Sequence, residues 1–209
     1  MLLYKTIANS GKVETTINRS KFIAHIKPIS SYEEGQDFVS EIKAEYKDAT
    51  HNVPAIVFGK KQELQWMSDD GEPQGTAGPP ILKVLVEKGL TNLAVVVTRY
   101  FGGIKLGTGG LVRAYQGIVI DAIDEIGIAE AREGVLLEYE IDYTHLTKLH
   151  KASESMNFSL QDKDFSDKVL VQASCEIEFA DQVKTVFSDI SSGKCRLLSE
   201  ESVIEYRKI

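Results

Sequence analysis

LAVVVTRYFGGIKLGTGGLVRAY, residues 93 to 115, sets the fold of the first part of this chain. Its opening, Leu93-Ala-Val-Val-Val97, is long enough for a buried strand and too short for a helix. Five glycines follow: Gly102, Gly103, Gly107, Gly109 and Gly110. Then Leu111, Ala114, Tyr115, Ile118, Val119 and Ala122 recur at helical spacing. The pattern predicts strand, glycine-rich loop and long helix, with Thr108 as the helix N-cap. Glycine permits positive φ and leaves backbone N–H groups uncovered. Such groups at a helix N-terminus, with the helix dipole behind them, make an anion site, and Arg99, Lys105 and Arg113 add positive charge. The plainer reading is that the glycines only let the chain turn tightly and the helix pack closely. Tyr100 and Phe101 suit stacking on bases, or packing at a rim. The segment has neither the Gly-Lys-Ser/Thr of a Walker loop nor G-x-G-x-x-G.

Upstream lies DDGEPQGTAGPP, Asp69–Pro80, a shaped loop dense in Gly and Pro. Asp69, Asp70 and Glu72 can hold a cation or supply a base, but acidic residues more often cap turns and helix starts. Gly71 and Thr76 belong to the same loop. The spacing is not that of an EF-hand, and no second acidic cluster stands near, so no metal or cofactor is expected. Pro79 and Pro80 suit the first turn of a helix carrying Ile81, Leu82 and Leu85, with Gly89 as its stop. His51 precedes a strand, Val53–Gly59, which pairs with Leu64–Met67 as a hairpin. No nearby Ser or Cys pattern gives His51 a catalytic partner. Ser31-Tyr-Glu-Glu34 fits a capping box before a helix of about four turns carrying Phe38, Val39, Ile42 and Tyr46. Residues 4–29 contain two strand-like stretches.

Beyond residue 134 the pattern changes. Val135, Leu137, Tyr139, Ile141 and Tyr143 alternate as a strand, as do Val169, Val171, Ala173, Cys175 and Ile177. Leu146, Leu149 and Met156 mark one helix, and Val183, Val186, Phe187 and Ile190 another. With a short strand near Phe158–Gln161 and a last one over Arg196–Tyr206, the order is βαββαβ, a ferredoxin-like unit. The fold class is therefore α+β, in two domains, 1–133 and 134–209.

Composition narrows the function. The chain has 209 residues and a net charge of −7, which argues against a general polyanion binder. The acidity is uneven: up to Gly134, 15 Lys and Arg face 17 Asp and Glu, and beyond it 9 face 14. From Lys88 to Ile120 there is no acidic residue, so part of the first domain can meet an anion. Cys175 and Cys195 are too few for a disulfide framework or a zinc site. No apolar run approaches the roughly 20 residues of a membrane span, and the N-terminus does not read as a signal peptide. A cytoplasmic location and no membrane partner are expected.

Three stretches, ATHNVPA (Ala49–Ala55), SDDGEPQGTAGPPIL (Ser68–Leu82) and VVVTRYFGGIKLGTGGLVRAY (Val95–Tyr115), resemble the Impact family in its bacterial, YigZ- and YvyE-like branch. The resemblance implies a first domain like domain two of ribosomal protein S5 and a second like the C-terminal domain of elongation factor G. It implies a role in translation through contact with ribosome, RNA or a translation-related protein. Val53 stands where many relatives carry cysteine, so no thiol chemistry is carried over. Two functions follow: a translation-linked binding protein, or an enzyme on a phosphorylated or nucleotide-like small molecule held by the Gly102–Gly110 loop. The lack of a recognisable nucleophile–base pair favours binding.

Overall fold

The structure is a computed structural model that describes residues 1–165 and 168–209. The chain divides into two compact units: Tyr4–Glu130 with Lys208–Ile209, and Met1–Leu3 with Ala131–Arg207. Both are α+β.

The first unit is built on a sheet of five strands, β2 (Gly11–Ile17), β3 (Ser20–Pro28), β4 (His51–Phe58), β5 (Leu64–Met67) and β6 (Leu93–Tyr100). They lie in the order β2-β3-β6-β4-β5, each neighbouring pair antiparallel. Strand β1 (Leu2–Ile7) precedes them, so the N-terminal region holds three strands where the sequence pattern suggested two. β1 and β2 are short and only half apolar, which hid the break between them.

Central β6 explains the unbroken apolar run. Leu93, Val95 and Val97 pack with α2 (Gly78–Glu87) and α3 (Gly107–Ile126) on one face. Ala94 and Val96 pack with Val39 and Ile42 of α1 (Tyr32–Glu45) on the other. A strand covered on both faces has no polar side to alternate with. α3 buries Leu111, Ala114, Tyr115, Ile118, Val119 and Ala122, the face its periodicity predicts. α1 begins at Ser31, whose hydroxyl accepts from Glu34 N. The reciprocal bond differs from a standard capping box, because Glu34 accepts from the N–H and hydroxyl of Ser30. Those bonds, with Lys27, hold its carboxyl down to about 2.

The second unit runs β7 (Ile128–Ile141), α4 (Tyr143–Ser155), β8 (Ser159–Phe165), β9 (Val169–Glu176), α5 (Ala180–Ser191) and β10 (Arg196–Lys208). This is the βαββαβ order, with β10-β7-β9-β8 in space; β1 also pairs with β7. Val135, Leu137, Tyr139 and Ile141 of β7 meet Val183 and Phe187 of α5 in its core. Tyr139 stacks on Phe187 with ring centres 4.1 Å apart. Tyr143 does not extend β7. It opens α4 and is exposed, because Asp142 turns the chain into the helix after Ile141. Met156 falls just past the end of α4 rather than within it.

Candidate functional site

The register of the first sheet sets the site. His51 of β4 and Phe22 of β3 both lie opposite Arg99 of β6. Arg99 shares parity with Leu93, Val95 and Val97, so its side chain turns under α3 rather than out to solvent. It is 4% exposed. Its guanidinium lies between two rings, 5.4 Å from the centre of Phe22 and 5.5 Å from that of Phe101. Arg99 Nη1 donates to Glu72 Oε1 at 2.6 Å, and Nη2 reaches Ser20 Oγ at 3.4 Å. Tyr115 Oη, fully buried on α3, donates to the same Glu72 oxygen at 2.7 Å. Burial, and then the Glu72 carboxylate, push the Tyr115 phenol far above its ordinary range. His51 Nδ1 lies 2.8 Å from the Asp70 carbonyl oxygen. A carbonyl can only accept, so Nδ1 carries the proton and Nε2 faces Glu72 Oε2 at 3.7 Å.

The acidic loop divides its work among the neighbouring elements. Asp69 accepts from the N–H groups of Gly75, Ala77 and Gly78, capping α2 from a distance. Burial alone would raise its pKa, but these bonds outweigh that and hold the carboxyl below its ordinary value. Asp70 pairs with Lys43 of α1 at 2.5 Å and accepts from Asn52 N of β4 at 2.6 Å. Positive φ at Asp70 and Gly71 lets two consecutive acids aim in different directions while Glu72 turns inward. Thr76 stays local, its hydroxyl on the Pro73 carbonyl. Among the described residues, no group of three or more His, Cys, Asp or Glu is placed to hold a metal ion.

In the glycine-rich segment the structure separates residues that the sequence grouped. Arg99 is not a surface cation. Tyr100 donates to Asp48, and Phe101 N to Thr50 Oγ1. Gly102 N donates to Ser20 Oγ, and a Cβ there would overlap the Arg19 carbonyl, so this glycine is required by a close backbone approach. Gly103 and Gly107 have positive φ. Thr108 is not the N-cap of α3: the helix begins at Gly107, preceded by Leu106, and no side chain caps it. Lys105 and Arg113 are exposed, as are Thr108 and Gly109.

These residues enclose a cleft of about 420 Å³. Glu72 and Arg99 lie at its charged end, with Thr50 and His51 beside them; Pro73, Phe101, Leu106 and Leu111 are apolar walls, and Lys105, Gly107 and Thr108 also line it. Arg113 borders a neighbouring groove with Ile17, Asn18 and Gly110. Sequence reasoning did not reveal the Glu72–Arg99–Tyr115 cluster. Strand parity was the available signal for Arg99; nothing in the loop announced Glu72. The other His and Cys residues lie elsewhere. His25 is buried against Tyr46, its ring pushed down to about 4 by burial, and burial raises the Cys175 thiol to about 11. A larger hollow, about 610 Å³, lies in the second unit, where Ser174 donates to Glu205.

Comparison with known proteins agrees with the motifs. The Impact N-terminal domain matches residues 18–123, and a domain of unknown function, DUF1949, matches 140–194. The Impact family member YvyE of Bacillus subtilis is 37% identical over 91% of this chain and 88% of its own length. The family member YigZ of Escherichia coli is 34% identical over 88% of this chain and 92% of its own. A crystal structure described as a hypothetical protein superposes with a TM-score of 0.60 at 31% identity, covering 95% of this chain and 98% of that one.

Proposed function

The chain belongs to the Impact family, and from that premise we propose that it is a translation-linked binding protein whose contact surface is the cleft-bearing face of the first unit. The observation that carries this reading is how the ionic groups of the cleft and of the acidic loop beside it are used. Asp69 caps α2, Asp70 joins α1 to β4, and Glu72 neutralises Arg99. His51 is held by a carbonyl and faces a carboxylate, rather than a hydroxyl or thiol it could activate. At the rim, Phe101, Ile104 and Lys105 are exposed. Exposed apolar side chains beside a cation suit recognition. The family resemblance supplies the setting: ribosome, RNA or a translation-related protein.

The second reading, an enzyme acting on a phosphorylated small molecule, is favoured by the cleft's size, which falls in the roughly 300–1,000 Å³ range of small-molecule sites. Sedimentation of the full chain with ribosomes from its native cells, with and without RNase, separates the readings. The Phe101→Ala/Lys105→Ala double variant should lose most of any co-sedimentation at low salt, and the effect should shrink at high salt if phosphates are met. A double variant that sediments like the parent would remove this surface as the contact.

A further inference from the structure

We propose that the cleft binds a nucleotide unit ending in a phosphate monoester, with the phosphate at the start of α3 and the ring against Phe101. This rests on the cleft being the contact site and names the chemistry that it recognises.

Three observations converge on the phosphate. α3 is 20 residues long, has no side-chain cap and carries no acidic residue in its first turn. Its first turn, Gly107-Thr108-Gly109-Gly110, presents N–H donors with little side-chain cover, at the positive end of the dipole. Arg99 supplies the second, independent observation. Its side chain is 5% exposed and forms a wall of the cleft. Among the described residues its Nε has no hydrogen-bond partner, and Nη2 has only the long bond to Ser20. The guanidinium therefore keeps donor capacity that Glu72 and Ser20 do not use, beside the cleft that the residue lines. Third, cations flank the same turn. Lys105 lines the cleft, and Arg113 Nη1 lies 3.6 Å from where a Cβ on Gly109 would stand.

The apolar walls decide what the phosphate is attached to. A bare anion would leave Pro73, Leu106 and Leu111 without a partner. Phe101 is 45% exposed, and its stacking on Arg99 fixes the ring at the cleft. A planar base against this ring, with the phosphate over α3, uses both halves of the site. About 420 Å³ holds a single nucleotide unit, not a duplex. The unit can be a free mononucleotide or the 5′-phosphorylated end of an RNA strand.

Calorimetric titration of the full chain tests this with AMP, adenosine, ribose 5-phosphate and inorganic phosphate as probes. AMP should bind, and adenosine should bind about tenfold more weakly or worse, the scale of a lost charge-assisted hydrogen bond. Both phosphates without a base should also bind more weakly than AMP. Lys105→Ala should weaken AMP while leaving adenosine unchanged. Phe101→Ala should weaken AMP about fivefold or more while leaving inorganic phosphate unchanged. Both residues are exposed, and unchanged thermal unfolding would show that the variants are folded. A 5′-phosphorylated tetra-adenylate that binds tighter than AMP identifies an RNA end as the source, and the reverse order identifies a free nucleotide. The proposal is overturned if AMP does not saturate the protein at millimolar concentration, if adenosine matches AMP, or if 5′-hydroxyl and 5′-phosphorylated tetramers bind alike. Ribosome co-sedimentation that persists in any of those cases would overturn the ligand alone and leave the proposed function standing.

Discussion

Replacing Glu72 with glutamine tests the centre of the site directly. The side chains of Glu72 and Arg99 are 3% and 5% exposed and 2.6 Å apart. The amide would keep the shape and one acceptor but leave the guanidinium buried without a counter-charge. Breaking a buried pair from one side costs about 3–5 kcal/mol, because the remaining ion is uncompensated. The retained acceptor places Glu72→Gln near the lower figure, about 3 kcal/mol. That is a large share of the roughly 5–15 kcal/mol that holds a domain folded, and about 10 °C in Tm for a unit of this size. The chain's single tryptophan, Trp66, lies on β5 of the first unit, so its fluorescence during urea unfolding reports this unit specifically. A second variant, Glu72→Leu with Arg99→Met, removes both charges and should recover part of the loss, since an apolar pair of similar volume is often neutral or better, while the Tyr115 hydroxyl, left without its acceptor, keeps the recovery incomplete. A Glu72→Gln protein within about 0.5 kcal/mol of the parent, the range of an ordinary surface change, would show that the pair is not a buried one and would refute the reasoning.

Tyr115→Phe should cost about 1–2 kcal/mol at neutral pH through the lost bond to Glu72. Because the folded-state phenol is raised, its stability is intact below about pH 10 and falls by about 1.4 kcal/mol per pH unit above it; urea midpoints near pH 9 and pH 11 should show a shallower alkaline loss in the variant. His25 has a depressed folded pKa of about 4 against 6.5. The stability it gives is therefore complete above about pH 6.5 and lost as pH falls toward 4; His25→Phe should flatten that acid limb, and an unchanged limb would assign it to other groups. Gly102→Ala, whose Cβ meets the Arg19 carbonyl, should destabilise by at least about 2 kcal/mol. Gly103→Ala, at φ +83° in open space, should cost only the roughly 1–2 kcal/mol of a left-handed residue; equal losses in a thermal melt would count against the close approach.

The sequence carried the parts of this fold that repeat. Period two in β7 and β9, period 3.6 in α3, and the doubly covered run of β6 were all legible in the residues alone. Parity along β6 also holds the position of Arg99, but three cations spread through an interval free of acid suggest one charged face and mask that parity. Glu72 was hidden for a different reason. Its direction comes from two successive positive-φ residues, Asp70 and Gly71, and an irregular loop has no period to read. Thr108 is not the cap because the helix starts at Gly107, two residues earlier than a Thr108 cap would place it, after a leucine that cannot cap it. The pairing of His51 with Arg99 depends on strand register across 48 positions, which no local pattern records.

The acidic loop and the glycine-rich segment become one site through side chains rather than through proximity in sequence. Asp69 ties the loop to the start of α2, Asp70 ties it to α1 and β4, and Glu72 ties it to β6 and α3. Three carboxylates that resemble a cation site on paper therefore act as three staples, each directed at a different element. The buried pair is a poor source of net stability, so its value lies in what it fixes. It holds Pro73 and His51 on one side of the cleft, while Arg99 holds the ring of Phe101 on the other. A loop already tied to α1, α2 and α3 loses little conformational freedom when a ligand arrives. On this argument the apolar Glu72→Leu/Arg99→Met pair should fold well yet bind its partner poorly, because it keeps the packing and removes the groups that aim the walls.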